Sequence, residues 1–263
     1  MTSVVAFQQR KQNGERISLT TCYDYWSACI IRETPVDAVL VGDSASMVMH
    51  GFPSTIHASV DMMVWHVAAV SRALTERFII ADLPFLAHRK GLTYLMESVD
   101  KLMKAGSHAI KIEGGSEVVS EIHHIVQSGV PVMGHLGLTP QSVNLLGGHK
   151  LQATRPEAAE KLFKDAQQLQ QAGIFALVLE MVPADLAHKV TSNLSIPVIG
   201  IGAGPHTDGQ VLVLQDLLGM SKDFSPKFLR KYLNGYELIK DALMRFDADV
   251  KNGNFPSDKE SYL

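Results

Sequence analysis

Cysteine is scarce. The 263 residues contain two, Cys22 and Cys29. Their spacing matches neither a disulfide framework nor a CxxC zinc site, and a reducing cytoplasm is the simplest home for such a chain. Excess charge of one sign is also lacking: 24 Lys and Arg face 27 Asp and Glu, a net charge of −3 with His neutral. A nucleic-acid binder normally carries a basic excess, so that class is disfavoured. No apolar run approaches the ~18–20 residues needed to span a bilayer. Arg10, Lys11 and Glu15 interrupt the N-terminal stretch too early for a secretory signal. No linker, internal repeat or low-complexity segment divides the chain. The expectation is one domain over 1–263, with a short N-terminal helix and a loosely held tail over 252–263. What the chain does have is apolar material, 46% of its residues, which excludes general disorder.

That material is arranged in a recurring unit. Short apolar runs, often rich in β-branched residues, lie at 17–22, 38–42, 78–81, 108–112, 131–134, 175–179, 197–201 and 211–215. Runs apolar on both faces suit buried parallel strands. Helical patterns lie between them, over 59–74, 93–104, 116–126 and 156–171, and a further one over 228–246. Ser116 is a candidate N-cap, Pro156 suits a first helical turn, and Gly106, Gly129 and Gly173 are candidate stops. Eight strands alternating with helices predict an α/β fold, a (β/α)8 TIM barrel, with an open doubly wound sheet as the alternative.

In such a barrel the chemistry sits at the carboxyl ends of the strands. Asp43, Asp82, Glu113, His135 and Glu180 all fall there. Side chains alternate along a strand. The pattern therefore groups Val39, Val41 and Asp43 on one face, as it does Phe78, Ile80 and Asp82, and one register aims these acids into a single cavity. Lys111 goes with Glu113, and Ala176 and Val178 go with Glu180. Acids brought close together repel unless neutralised. Oxygen ligands select a hard cation such as Mg²⁺, one per subunit, over zinc. Acids at strand ends also serve as helix caps or solvated loop residues. A lysine among carboxylates stays protonated, which favours a clamp on a substrate carboxylate over a Schiff-base nucleophile. His135 suits a hydrogen-bonding or a structural role. His50, His57, His66, His123 and His124 show no trusted ligand spacing. Gly200 to Gly204 lacks the GxGxxG spacing of a dinucleotide site, and the methionines at 47, 49, 62 and 63 suit packing.

Several words of sequence, in order, carry a resemblance. They are Thr21-Cys-Tyr-Asp-Tyr25, Val41-Gly-Asp-Ser44, Ala81-Asp-Leu-Pro-Phe85 and Ile110-Lys-Ile-Glu-Gly-Gly115. Further on come Gly134-His-Leu-Gly-Leu-Thr-Pro-Gln141, Val178-Leu-Glu-Met-Val-Pro183, Ile199-Gly-Ile-Gly-Ala-Gly204 and Asp208-Gly-Gln-Val-Leu-Val213. Together they resemble the ketopantoate hydroxymethyltransferase family over nearly the whole length. The resemblance implies a barrel of the phosphoenolpyruvate/pyruvate-like type. It implies transfer of a one-carbon unit from the co-substrate 5,10-methylenetetrahydrofolate to 3-methyl-2-oxobutanoate, giving 2-dehydropantoate on the way to pantothenate and coenzyme A. By matching motifs, Asp43, Asp82 and Glu113 resemble the magnesium set. Asp43, Ser44, Asp82 and Lys111 resemble the substrate-binding residues, and Glu180 resembles the proton acceptor. The family is cytoplasmic and homo-oligomeric, which implies a homo-oligomer here, such as a decamer. The apolar segment 4–7, which a lone barrel would have to cover, points the same way.

Some words depart from the family pattern. Ala45-Ser46 follows Ser44, Leu86-Ala87-His88 follows Phe85, and His149 to Thr154 replaces the usual loop. These lie near the mouth and bear on folate affinity and the choice of 2-oxo acid. The expected mechanism is a Mg-stabilised enolate, the metal chelated by the 2-oxo acid and Glu180 taking the C3 proton. A related Mg-dependent carbon–carbon lyase or mutase acting on a pyruvate-like 2-oxo acid is the alternative. A non-catalytic barrel would more naturally have lost one of the acids or the lysine.

Overall fold

The computed structural model describes residues 3–262. The chain divides into two compact units, the first ending at Val213 and the second beginning at Leu214. Eight strands close the first unit into a barrel in sequence order, each parallel to its neighbours. They are β1 (Ile17–Thr21), β2 (Ala38–Val41), β3 (Phe78–Asp82), β4 (Ala109–Glu113), β5 (Val132–Gly137), β6 (Ala176–Glu180), β7 (Val198–Ile201) and β8 (Gly209–Leu212). All eight expected strands are present. The last starts two residues earlier than its apolar run and ends before Leu214, because Gln215 lies in the short helix Leu214–Leu217.

Alternate residues from all eight strands meet in one buried cluster inside the barrel: Ile17 and Leu19, Ala38 and Leu40, Phe78 and Ile80, Ala109, Met133, Ala176 and Val178, Ile199, and Val211. The floor is sealed from within the chain. Ser3 caps the helix Val4–Gln12, which delivers Phe7, fully buried, onto Phe78 and Phe175 with ring centroids 5.5 and 5.3 Å away. Arg10 pairs with Asp37 at 2.7 Å and Lys11 with Asp208 at 2.8 Å. Phe7 thus plugs the barrel of its own chain and Val4 packs on the same cluster, while Val5 stays exposed.

The expected helices form over Val60–Ala73, Leu92–Lys104 and Pro156–Ala172. Ser59 caps the first, and the last ends at Gly173 in the left-handed conformation. Ser116 does not act as a helix N-cap. It begins a 3-10 turn, Ser116–Val118, and the α-helix follows at Val119–Gln127. The expected N-terminal helix is Val4–Gln12, and two further helices of eight or more residues form in this unit, Tyr25–Arg32 and Ala184–Asn193. In the second unit the helix runs over Gly235–Lys251 rather than 228–246. Residues 228–234 are held outside it, with the Tyr232 N–H on the Leu217 carbonyl and that of Gly235 on Leu218. The tail carries a short turn, Asp258–Glu260, capped by Ser257. Among the described residues no helix is long and apolar enough to cross a membrane.

Candidate active site

Polar side chains replace apolar ones where the strands reach their carboxyl ends. In β3 the inward series Phe78, Ile80 continues to Asp82. In β4 it runs from Ala109 to Lys111 and Glu113, in β5 from Met133 to His135, and in β6 from Val178 to Glu180. Asp82 stands level with Lys111, and Glu113 with His135. Alternation therefore places these five groups.

Asp43 arrives differently. On β2 the inward residues are Ala38 and Leu40, so the expected grouping of Asp43 with Val39 and Val41 on an inward face does not hold. The strand ends at Val41, and the turn at Gly42 brings the carboxylate in. A Cβ at Gly42 would lie 2.8 Å from Ser44 Oγ and would force that hydroxyl to move. The Asp43 N–H donates to Asp82 Oδ2 at 3.1 Å. Ser44 Oγ meets the hydroxyl of Tyr23, itself buried, at 2.7 Å.

The groups form a connected set. Lys111 Nζ lies 2.8 Å from Asp82 Oδ1, with both side chains about 4% exposed. His135 bridges two acids, Nδ1 to Glu113 Oε1 at 3.2 Å and Nε2 to Glu180 Oε2 at 3.3 Å. These are ion-pair distances with poor hydrogen-bond angles, so Asp82 Oδ1 and both ring nitrogens lack a directed hydrogen bond. Gln141 ties the rest together. Its Nε2 donates to Asp43 Oδ2 at 2.8 Å and to the Leu83 carbonyl at 2.9 Å, and its backbone N–H donates to Glu113 Oε2 at 3.1 Å.

Charge follows from this packing. Burial, then repulsion from Asp82 and Glu113, pushes the Asp43 carboxyl well above the usual range. Burial would lower Lys111, but Asp82, Glu113 and Asp43 outweigh it and hold the ammonium form. Burial would raise Glu113, but His135, Lys111 and the Gln141 N–H hold it low. Burial and Lys111 press His135 down, yet Glu113 and Glu180 raise it to about 9.

Four acids thus face two cations, Lys111 and His135. The residual negative charge and the oxygen donors suit a hard divalent ion. Among the described residues no three His, Cys, Asp or Glu side chains form a ready-made cage. Asp82 Oδ1 is buried without a directed hydrogen bond and already faces the Lys111 ammonium at 2.8 Å, so a metal ion there would share it with that lysine. Asp43, whose charge burial opposes, is the acid that a cation would relieve most. Glu113 has both oxygens engaged by His135 and Gln141.

The chain turns sharply on leaving the site. Met181, directly after Glu180, has φ 49°, a left-handed conformation that costs a non-glycine residue ~1–3 kcal/mol. Gly137 at the end of β5 has φ 96°, and a Cβ there would lie 2.1 Å from the Glu180 carbonyl. Tyr23 and Gln141 lie within the motif words but were not singled out from the sequence. Both are uncharged, and only their hydrogen bonds reveal them. His50 and His66 pair with each other, Nε2 to Nε2 at 2.8 Å.

The fold is that of a (β/α)8-barrel enzyme, with its buried charged groups gathered at the carboxyl ends of the strands. Solved structures share this architecture. One is phosphonopyruvate hydrolase in complex with oxalate and Mg²⁺, with TM-score 0.65 and 12% identity, covering 99% of this chain and 93% of that one. Another is 2,3-dimethylmalate lyase, a PEP mutase/isocitrate lyase superfamily member, with TM-score 0.59 and 16% identity, covering 95% and 99%. The chain belongs to the ketopantoate hydroxymethyltransferase family, whose pattern matches residues 1–258. A relative from Coxiella burnetii (strain CbuK_Q154), 3-methyl-2-oxobutanoate hydroxymethyltransferase, is 55% identical over 251 residues, 95% of this chain and 94% of its own.

Proposed function

We propose that this chain transfers a hydroxymethyl group from 5,10-methylenetetrahydrofolate to 3-methyl-2-oxobutanoate, giving 2-dehydropantoate. Family membership supports the reaction. The observation that carries the mechanism is Lys111, held as an ammonium ion among carboxylates, with Glu180 two strands away.

The 2-oxo acid presents a carboxylate and a keto oxygen. Lys111 balances the negative charge that grows on the keto oxygen as the C3 proton leaves. Glu180 takes that proton, general-base help worth ~10²–10⁴-fold. His135, already protonated, holds the Glu180 carboxylate in place and does not compete as the base. The C3 carbon then bonds to the folate's one-carbon unit, water supplies the hydroxyl oxygen, and tetrahydrofolate leaves. Tyr23 fixes Ser44 beside the substrate. Asp43 and Asp82 would hold a divalent cation such as Mg²⁺, with Glu113 as the third acid beside it. When bound, that ion supplies Lewis-acid polarisation of the keto oxygen.

The proposal includes a cytoplasmic homo-oligomer. Leu238, Ile239, Leu243 and Phe246 on helix Gly235–Lys251 are exposed, and an apolar face of that kind is suited to burial against another copy. The test of function is product formation from 3-methyl-2-oxobutanoate with and without the folate. Product should require the folate. Folate-independent cleavage or rearrangement of 2-oxo acids would instead favour a lyase or mutase, whose relatives share only the fold with this chain.

A further inference from the structure

The site contains one neutral side chain that touches acids from two strand ends. Gln141 lies in the 3-10 turn Pro140–Ser142 that follows β5. Pro140 opens the turn, so the Gln141 N–H belongs to the first turn of a helix and has no carbonyl behind it. Glu113 Oε2 takes that donor at 3.1 Å. The side chain reaches the other way. Its Nε2 gives one hydrogen to Asp43 Oδ2 at 2.8 Å and one to the Leu83 carbonyl at 2.9 Å.

The orientation of this amide is fixed by its partners. A carboxylate oxygen and a backbone carbonyl both only accept, so the atom between them is the NH₂ group. Both of its hydrogens are spent. Gln141 is buried.

The consequence lies in the acids. Asp43 Oδ2 is occupied by the amide, whereas Oδ1 accepts no hydrogen bond among the described residues. Asp82 Oδ2 is occupied by the Asp43 N–H, and its Oδ1 has no directed hydrogen bond. Asp43 therefore keeps one oxygen for another partner, and Asp82 Oδ1 faces only the Lys111 ammonium at 2.8 Å. The same glutamine binds Glu113 through its backbone N–H. Without Gln141 the Asp43 carboxylate would be free to rotate and present either oxygen.

We propose that Gln141 is a positioning residue that orients Asp43 for the divalent cation and sets the strength of cation binding. This rests on the proposed reading of Asp43 and Asp82 as metal ligands. Partners that hold a ligating carboxylate typically contribute 10–100-fold in metal affinity.

The experiment titrates Mn²⁺ into the full-length protein and follows the free-ion paramagnetic resonance signal, without substrate or turnover. Gln141→Met keeps the volume and removes both side-chain donors. Gln141→Asn keeps an amide that is one methylene too short to reach Asp43. The Met variant should bind Mn²⁺ ~10–100-fold more weakly, with the Asn variant between it and the parent. Circular dichroism confirms folding, and transfer activity at saturating Mn²⁺ should return to within a few-fold of the parent. Folded variants that bind Mn²⁺ as tightly as the parent, or that lose only melting temperature, overturn the role of Gln141 and leave the metal reading standing. A parent protein that binds no Mn²⁺ overturns both. If the Met variant does not fold, the Asn variant decides on the same criteria.

Discussion

Replacing Lys111 with Met keeps most of the volume and deletes one of the two cations that face four acids. Its Nζ lies 2.8 Å from Asp82 Oδ1 in a pair about 4% exposed, so water cannot take its place. Breaking a buried pair by removing one partner costs ~3–5 kcal/mol. A second route gives the same size. Asp43 is already held high in the parent, so relief of the orphaned charge needs a proton on a second acid, and protonating a carboxylate of ordinary pKa ~4 near pH 7.5 costs about 1.4 kcal/mol per unit, roughly 5 kcal/mol in all. The variant should therefore melt ~6–20 °C lower, at ~2–4 °C per kcal/mol for a unit of this size. The sign of the pH effect follows. In the variant an acid has a folded pKa raised above its unfolded value, so its penalty grows as pH climbs from ~4 toward the raised value. Lys111 itself stays charged across that range. Near pH 5.5 the penalty should shrink to about 2 kcal/mol. Urea denaturation of parent and variant at both pH values is the assay. A variant within about 1 kcal/mol of the parent, or a deficit equal at both pH values, would refute the reasoning.

His135 carries a second pH signature. Its folded value of about 9 exceeds the usual ~6.5, so its stabilisation, on the order of 3 kcal/mol, is full below ~6.5 and lost as pH rises through about 9. The parent should lose stability over that interval and His135→Asn should lose less. A flat parent curve would contradict the charged bridge. Tyr23→Phe removes the 2.7 Å contact to Ser44 Oγ and should cost ~1 kcal/mol. It should raise KM for the 2-oxo acid more than it lowers kcat, and an unchanged KM would remove Ser44 from substrate binding. Phe7→Ala opens the barrel floor and should cost ~3–5 kcal/mol in denaturation. Its turnover per folded molecule should be unchanged, because the reacting groups lie at the opposite end of the strands.

Much of this architecture was legible in the sequence. Parallel strands buried on both faces leave continuous apolar runs, and all eight runs became strands. Alternation also placed Asp82, Lys111, Glu113 and Glu180, because each lies within a strand and inherits its register. Asp43 shows where that logic stops. It lies beyond β2, and a glycine turn rather than the pleat sets its direction. Gln141 and Tyr23 carry no charge and act through bonds to residues distant in sequence, which no local pattern reports. Segment 4–7 reads as one uncovered apolar surface, whereas Phe7 packs among Phe78 and Phe175 and Val5 stays exposed. The second unit was read least well. The pattern began its helix at 228, but the turn that binds Tyr232 and Gly235 to Leu217 and Leu218 delays it to Gly235.

The central claim is that Glu180 takes the C3 proton in a pocket where Lys111 and His135 remain charged. Exchange of deuterium into C3 of 3-methyl-2-oxobutanoate, measured for Glu180→Gln at saturating Mg²⁺ and corrected for folded fraction, tests it most directly. Gln keeps the shape of the side chain and removes its basicity. Exchange should slow by ~10²-fold or more, while substrate and metal affinity change far less. A rate within a few-fold of the parent would contradict the account and move the proton transfer to another group.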